Sequence, residues 1–185
     1  MRVFLGVTGA SGARYAVSLL EALASAGCEV GVAASGAASQ VFETELGRSV
    51  EDVVSAAGAR LWRADDWNAP YASGSAQVDG YVICPCSMGT LGTIASGAMQ
   101  NLIHRAASVA LKEGRKLVLC PRETPLSTIH LENMLTLRRA GATILMLAPG
   151  FYHGAQTVQD LVDFVVARVL DQLGVDNSLI QRWGQ

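Results

Sequence analysis

The chain has 185 residues, of which 16% are charged, and its net charge at pH 7 is −2. A charge this close to zero excludes a protein that binds nucleic acid or a membrane surface mainly by electrostatic attraction. No apolar run approaches the roughly 18 residues that a membrane-spanning helix needs. A length of 185 residues is typical of one domain, so we expect a single domain, residues 1–185. We expect it in the cytoplasm.

The composition also predicts contacts between copies of the chain. Half of the residues are hydrophobic, while the charged fraction falls well below the roughly 25% of an average soluble domain. A monomer of this size would have too few charged residues to cover its surface. We therefore expect extensive interfaces in a homo-oligomer. The cysteines show no Cys-x-x-Cys spacing and lie in or beside apolar runs, which is typical of reduced core thiols.

Short β-branched runs alternate along the chain with longer helical patterns, which predicts an α/β fold with a doubly wound parallel sheet. The five predicted strands cover residues 3–7, 29–34, 80–84, 116–120 and 142–147. The predicted helices cover residues 12–26, 37–46, 49–57, 88–98, 102–113, 127–139 and 158–173. The aromatic and polar stretch 60–77 is predicted to be a functional loop.

A glycine-rich turn, residues 6–12, joins the first predicted strand to the first helix. Backbone N–H groups at such a turn can hold a phosphate, or the turn can simply be tight. It lacks the Gly-Lys-Ser/Thr ending of a P-loop, which disfavours ATP. The second strand ends in Ala34-Ser35-Gly36, without the acidic residue that binds the ribose of a nicotinamide cofactor. Ser35 instead suits a mononucleotide such as FMN.

Two later loops should reach the same edge of the sheet, because parallel strands end there. Ser87 and Thr90 follow the third predicted strand and could cap the next helix, bind a phosphate, or do both. Arg122 and Glu123 follow the fourth strand and lie between two prolines. This segment could be a rigid loop of the site, or the two residues could form an exposed ion pair.

Further cationic and aromatic side chains occur outside these loops. Arg105 and Lys112 lie two helical turns apart, which fits a phosphate pocket or a solvated stripe. The segment 149–153, with sequence PGFYH, follows the last strand. Arg168 and the C-terminal Arg182-Trp183 pair could belong to a site or to a solvated helix and tail.

Taken together, several stretches resemble the UbiX-like flavin prenyltransferases, also called Pad-type flavoproteins. The matching stretches are TGASGA at 8–13, ASGS at 72–75, VICPCS at 82–87, NLIxRAAxVALKE from Asn101, LVLCPRETP from Leu117, IHLENM from Ile129, APGFYH from Ala148 and RWG from Arg182. They span essentially the whole chain. The resemblance implies a Rossmann-like or flavodoxin-like fold in a homododecamer, with the active site between subunits.

The resemblance also implies a reaction. Members of this family transfer a dimethylallyl group from dimethylallyl phosphate to N5 and C6 of reduced FMN, and the prenylated FMN serves UbiD-type decarboxylases. The implied FMN contacts are Gly9, Ala10, Ser11, Ser35, Ser87, Met88, Gly89, Thr90 and Arg122. The implied substrate contacts are Ser73, Arg105, Lys112, Tyr152 and Arg168, with Trp67 and Trp183 near the prenyl group. The implied proton-transfer residues are Ser11, Glu45 and Glu123.

These implied roles agree with elementary chemistry. A cluster of cations stabilises the charge that develops on a leaving phosphate, and aromatic faces stabilise an allylic cation. Loss of the C6 proton requires a base, for which Glu123 or Glu45 qualifies. The pair Asp65-Asp66 lacks the second acidic arm of a magnesium-diphosphate site, so we expect no metal requirement. Two positions, Gly36 and His104, differ from the residues common in relatives.

Three other functions are alternatives to the prenyltransferase, two of them enzymatic and one not. The FMN-dependent cysteine decarboxylases share the fold but need a histidine on the first site helix and PASANT and PxMN motifs. This chain has SGAR at 11–14, PCSMGT at 85–90 and PRETP at 121–125. A direct aromatic-acid decarboxylase would need an acid-binding site that the sequence does not indicate. A non-catalytic flavin carrier would not need Glu45, Glu123, Lys112 or Arg168.

Overall fold

The computed structural model describes residues 1–182 and 184 of the chain. Its strands form one parallel sheet. They are β1 (Arg2–Val7), β2 (Glu29–Ala34), β3 (Arg60–Trp62), β4 (Gly80–Cys86), β5 (Lys116–Pro121) and β6 (Thr143–Ile144). The helices are α1 (Ala13–Ser25), α2 (Gly36–Leu46), α3 (Val50–Ala56), α4 (Met88–Ala95), α5 (Leu102–Lys112), α6 (Thr128–Arg139) and α7 (Val158–Leu173). A 3₁₀ turn covers Pro70–Ala72.

The order of the strands across the sheet is β3-β2-β1-β4-β5-β6. The chain winds outward from β1 to β3, returns to the centre at β4, and then winds outward in the opposite direction. This is the Rossmann order, which confirms the predicted doubly wound fold. In such sheets ligands bind at the carboxyl ends of the strands on either side of the reversal, here β1 and β4.

The two faces of the sheet carry separate hydrophobic layers because side chains alternate along each strand. Val3, Leu5 and Val7 of β1 pack in the layer that contains α1 and α7. Phe4 faces the other layer, where it packs at 4.9 Å between ring centroids on Tyr71, beside α4 and α5. The central strands are therefore buried on both sides, which explains their nearly continuous apolar sequences.

Short polar side chains begin most of the helices. Each accepts a hydrogen bond from the backbone N–H three residues later, which satisfies a donor that the helix leaves without a partner. These N-cap residues are Ser35, Ser49, Ser87, Asn101, Ser127 and Thr157. The helix starts are thus specified locally, and the predicted helices agree with the observed ones apart from their ends.

The structure corrects the sequence prediction in two places. The stretch 60–77 does not start as a loop, because Arg60–Trp62 forms the edge strand β3 beside β2. Three residues are too few to show an alternating pattern, and the Arg60 guanidinium lies over the Trp62 ring at 3.7 Å. The last strand is shorter than the predicted 142–147, although Leu145 N–H still donates to Leu119 O at 2.8 Å.

The four cysteines are free, as expected. Cys84, Cys86 and Cys120 are buried, and burial raises the pKa of the Cys86 thiol well above its usual value. The Cys86 thiol is therefore protonated and a poor nucleophile at neutral pH. Within residues 1–182 and 184, no helix combines the length and the apolar character needed to cross a bilayer.

Candidate active site

The loops that follow β1 and β4 are joined by one buried side chain, Thr8. Its hydroxyl donates to Pro85 O at 2.9 Å and accepts from Ser87 N–H at 2.8 Å. Gly9 comes next, where an added Cβ would overlap Ala37 at the start of α2. Only glycine at position 9 therefore lets this turn approach the start of α2 so closely. The sequence reasoning assigned no role to Thr8, although a threonine directly after a buried strand is a signal for such a link.

Two helix N-termini at this edge are suited to bind an anion. Ser35 Oγ accepts from Ala38 N–H at 3.2 Å and begins α2. Ser87 Oγ accepts from Thr90 N–H at 3.2 Å and donates to the Thr90 hydroxyl at 3.1 Å at the start of α4. The other N–H groups of each first turn have no acceptor within the helix and sit at the positive end of its dipole. Both termini can therefore hold a phosphate.

The N-terminus of α1 is already filled by a carboxylate of the chain itself. Glu45, near the end of α2, accepts from Ala13 N–H at 2.8 Å and from Gly12 N–H at 3.1 Å. Gly12 has a φ of 125°, which favours glycine at this position. The glycine-rich turn could either hold a phosphate or simply be tight, and at this helix end Glu45 occupies the anion position. The N-termini of α2 and α4 remain available for a ligand phosphate.

The surroundings of Glu45 keep it ionised. Burial alone would raise the pKa of this carboxyl group, but hydrogen bonds from the Ser11 hydroxyl and two backbone N–H groups outweigh burial, helped by the charge of Arg122. The pKa is lowered overall. Arg122 reaches this turn from the end of β5, and its Nε donates to Ser11 O at 3.3 Å. Ser11, Glu45 and Arg122 therefore form one cluster.

Glu123 lies at the same edge but makes a separate contact. Its carboxylate accepts from the N–H of Thr124 in its own loop at 3.1 Å. The fold thus brings all of the predicted FMN contacts to the carboxyl ends of β1, β2, β4 and β5. They are Gly9, Ala10, Ser11, Ser35, Ser87, Met88, Gly89, Thr90 and Arg122.

Three predicted substrate contacts form a second group, on α5 and on the segment between β3 and β4. Arg105 Nε donates to Ala72 O at 2.9 Å, and the Ser73 hydroxyl lies 2.8 Å from that of Ser75. Lys112 pairs with Glu113 at the end of α5. Because β5 begins only four residues after Lys112, this end of α5 lies at the amino-terminal edge of the sheet.

Two further predicted substrate contacts lie on a third region, beside α7. A cavity of about 530 Å³ has Tyr152 and Arg168 in its wall, a volume typical of small-molecule sites. The Tyr152 ring packs edge-on against Phe164, one helical turn before Arg168, at 6.1 Å between centroids. The cavity is also lined by His153, Ile180, Gln181, Arg182 and Gly184.

A single chain therefore does not bring the predicted substrate cations together, because α5, with Arg105 and Lys112, packs on one face of the sheet and α7, with Arg168, packs on the other. A strand of six residues spans about 20 Å, and Lys112 lies at the opposite edge of the sheet from Arg122. Trp67 is half exposed on the segment between β3 and β4, and Trp183 lies outside the described residues. Asp65 pairs with Arg63 at 2.8 Å and Asp66 accepts from Asn68 N–H at 3.0 Å, so both acidic groups have local partners.

The Rossmann strand order and the helix N-termini at the reversal point define a nucleotide-binding α/β protein. The flavoprotein family model matches residues 1–170. The flavin prenyltransferase UbiX of Pseudomonas aeruginosa is 51% identical over 197 residues, covering 100% of this chain and 94% of that protein.

Two solved structures are similar over their whole length. AnUbiX (PadA1), solved in complex with FMN and dimethylallyl pyrophosphate, has a TM-score of 0.96 and 41% identity and covers 100% of this chain and 97% of its own. A dodecameric FMN-dependent UbiX-like decarboxylase from Escherichia coli O157:H7 has a TM-score of 0.95 and 46% identity, with 100% of both chains covered. The chain belongs to the flavoprotein family, among its UbiX-type flavin prenyltransferases.

Proposed function

We propose that this enzyme transfers a dimethylallyl group from dimethylallyl phosphate to N5 and C6 of reduced FMN. The prenylated FMN then serves a UbiD-type decarboxylase. The observation that carries the proposal is the carboxyl-edge cluster, in which an ionised Glu45, Ser11 and Arg122 lie beside two helix N-termini that suit a phosphate. A flavin mononucleotide offers one phosphate for those termini and a ring system for the cluster.

The residues at this edge fit FMN by their chemistry. N–H groups at the start of α2 and α4, with the hydroxyls of Ser35, Ser87 and Thr90, would bind the phosphate. The turn 9–11 would then face the ring system. Reduced FMN supplies the nucleophilic nitrogen and carbon for bond formation.

Protein cations would stabilise the leaving phosphate in this proposal. Arg105, Lys112 and Arg168 supply the charge, with the Tyr152 hydroxyl as a further donor, and Ser73 completes the pocket. The bond from the allylic carbon to the phosphate oxygen breaks while the bond to flavin N5 forms. The aromatic faces of Trp67 and Trp183 would stabilise the developing allylic cation.

Formation of the second bond, at C6, uses the alkene that the first step leaves: one alkene carbon takes up a proton, the other bonds to C6, and C6 then releases its own proton. The ionised Glu45 can accept it, and the Ser11 hydroxyl that bonds to Glu45 provides a short path. Glu123 lies in the next loop as a second base. We propose that Glu45 and Glu123 divide the proton transfers of the two steps, which are loss of a proton from N5, uptake of a proton by the alkene and loss of the C6 proton.

We further propose that the active site is completed between subunits of a dodecamer. Within one chain, Lys112 lies far from Arg122, and α5 and α7 pack on opposite faces of the sheet, which supports this. So does α6, whose side chains Ile129, Leu131 and Leu135 are at least 49% exposed although they are apolar. Such a surface normally packs against another protein surface. The four free cysteines agree with a reducing cytoplasm.

The reaction is tested by anaerobic incubation of the protein with reduced FMN and dimethylallyl phosphate. We expect the recovered flavin to gain the mass of a dimethylallyl group and to change its absorbance spectrum. A parallel incubation with the diphosphate determines which donor is used. Release of CO₂ from an aromatic acid without added prenylated FMN would instead support a decarboxylase, and unchanged flavin in every incubation would support a carrier.

The assembly is tested separately by gel filtration of the purified protein. We expect elution far above the 19.4 kDa of one chain, with FMN that is released on denaturation because it is bound noncovalently. Elution at the monomer position would contradict the intersubunit site.

A further inference from the structure

Asp171 occupies an unusual position in the last turn of α7. A carboxylate near a helix C-terminus is disfavoured by the helix dipole, yet this side chain is only 18% exposed. Arg182 donates to both of its oxygens, at 2.9 and 3.3 Å. Arg168 donates at 2.6 Å and the Asn177 amide at 3.2 Å. Four donor atoms, on three different residues, therefore bind one carboxylate.

Each of the two arginines belongs to the wall of the cavity beside α7. Arg168 comes from the helix itself, whereas Arg182 comes from the C-terminal tail that follows it. The paired contact between Arg182 and Asp171 is the geometry in which a guanidinium and a carboxylate bind most strongly. Asp171 thus connects the C-terminal tail to α7 through hydrogen bonds. The tail forms one side of the cavity and α7 forms another.

Two consequences of this arrangement oppose each other. The negative charge of Asp171 weakens the attraction of Arg168 and Arg182 for a phosphate. Its hydrogen bonds, however, fix the orientation of Arg168 and keep the tail against the cavity, which lowers the entropy lost when a substrate binds. Removal of the charge therefore tightens phosphate binding if electrostatics dominates and weakens it if positioning dominates.

We propose that Asp171 is a positioning residue that closes the C-terminal tail over the substrate cavity and aims Arg168 at the substrate phosphate. The statement about the phosphate rests on the proposed function, whereas the anchoring of the tail does not. Asp171 acts through the two arginines and takes no part in bond formation.

The kinetic test uses Asp171→Asn, which removes the charge and keeps the shape. We expect KM for dimethylallyl phosphate to rise about tenfold, while kcat at saturation and the Kd of FMN stay within about threefold of the wild-type values. Asp163→Asn is the matched control, because it makes the same charge change on the same helix two turns earlier, where Asp163 accepts from Gln159. An unchanged or lower KM in Asp171→Asn would overturn the proposal.

A double-mutant cycle shows whether Asp171 acts through Arg182. If it does, Arg182→Gln raises KM and adding Asp171→Asn to it raises KM by clearly less than the product of the two single effects. Independent, multiplying effects would contradict the anchoring. Asp171→Glu should recover part of the loss because it restores the carboxylate.

The anchoring is also tested without substrate, by hydrogen exchange of the C-terminal peptide in the full-length protein. We expect amides 175–182 to exchange at least several-fold faster in Asp171→Asn than in the wild type or Asp163→Asn, at equal thermal midpoints. Equal exchange in all three proteins would overturn the anchoring. Faster exchange in a protein that transfers no prenyl group would leave the anchor standing and remove only the proposed function.

Discussion

The carboxyl edge of the sheet and the surface beside α7 are built differently, although both contribute predicted substrate or FMN contacts. At the edge, buried backbone and short side chains set the geometry, as in the links from Thr8 to Pro85 and Ser87. Beside α7, long side chains do so, and the Arg168 and Arg182 side chains are 49% and 42% exposed. The Thr8 side chain that links the first region is buried, whereas the second region rests on ion pairs.

This contrast predicts that substitutions in the two regions fail in different ways. A buried hydrogen bond is costly to break because its partners are left without water, so substitution of Thr8 should lower stability. Ion pairs whose arginines are half exposed contribute little to stability, so substitution of Arg168 or Asp171 should change substrate binding while the fold persists.

The largest expected effect is on catalysis at the carboxyl edge. Glu123→Gln should lower the rate of prenyl transfer by about 10²- to 10⁴-fold, the usual contribution of a general base, with FMN affinity within about twofold. Rates are measured anaerobically beside Glu43→Gln, an exposed position on α2 where we expect wild-type turnover. Wild-type turnover of Glu123→Gln would remove this residue from the mechanism.

The next prediction concerns stability at the same edge. Thr8→Val should lower the free energy of unfolding by about 1 to 3 kcal/mol, because it leaves the partly buried Ser87 N–H without its acceptor and removes one of the two donors to Pro85 O, which keeps the Thr8 N–H at 3.2 Å. Urea denaturation at fixed protein concentration measures the change. Thr44→Val, which removes a hydroxyl from an exposed helix position, is the control and should stay within about 0.5 kcal/mol. Equal losses in both variants would contradict a core-like edge.

On the surface beside α7, a substitution should lower kcat/KM and leave the free energy of unfolding almost unchanged. Arg168→Ala should lower kcat/KM for dimethylallyl phosphate about ten- to a hundredfold, since one charge-assisted hydrogen bond contributes roughly 1.5 to 3 kcal/mol. Its free energy of unfolding should change by less than about 0.5 kcal/mol. Arg48→Ala serves as an exposed control that keeps wild-type kinetics.

Excess EDTA in the same assay tests whether the protein cations suffice. We expect it to leave the wild-type rate unchanged. Loss of activity in EDTA that Mg²⁺ restores would contradict stabilisation of the leaving group by protein cations, as would full activity of Arg168→Ala.

The smallest expected effect is a pH dependence from Glu45. Its pKa is lower in the folded protein than in the unfolded chain, so its ionised form adds stability above the unfolded pKa of about 4.3. That contribution is lost as the pH falls through the folded pKa. Glu45→Gln should therefore be less stable than the wild type at pH 7, by no more than about 1 kcal/mol for so exposed a group.

Thermal unfolding midpoints of both proteins between pH 3 and 7 measure this difference. The two curves should converge at the acidic end. A difference that grows toward low pH would show that Glu45 is not the ionised cap of α1.

The sequence predicted the elements that depend on neighbouring residues. Apolar runs located five of the six strands, and the cap candidate Ser87 marked the start of α4, because each signal spans only a few residues. The family motifs placed the FMN contacts after strands whose carboxyl ends meet. The strand β3 was missed, since its pairing with β2, rather than its own three residues, makes it a strand.

Contacts between distant residues were decided only by the tertiary structure. The bond from Glu45 to Gly12 joins residues 33 apart, and no periodicity in the sequence indicates it. The separation of Lys112 from Arg122 follows from the direction in which α5 crosses the sheet. The hydrogen bonds from Arg168 and Arg182 to Asp171 form only because the C-terminal tail folds back on α7. The sequence by itself determined the class of fold and the chemistry available, because both depend on local pattern and residue type. Which groups meet was decided by the packing of the helices on the sheet.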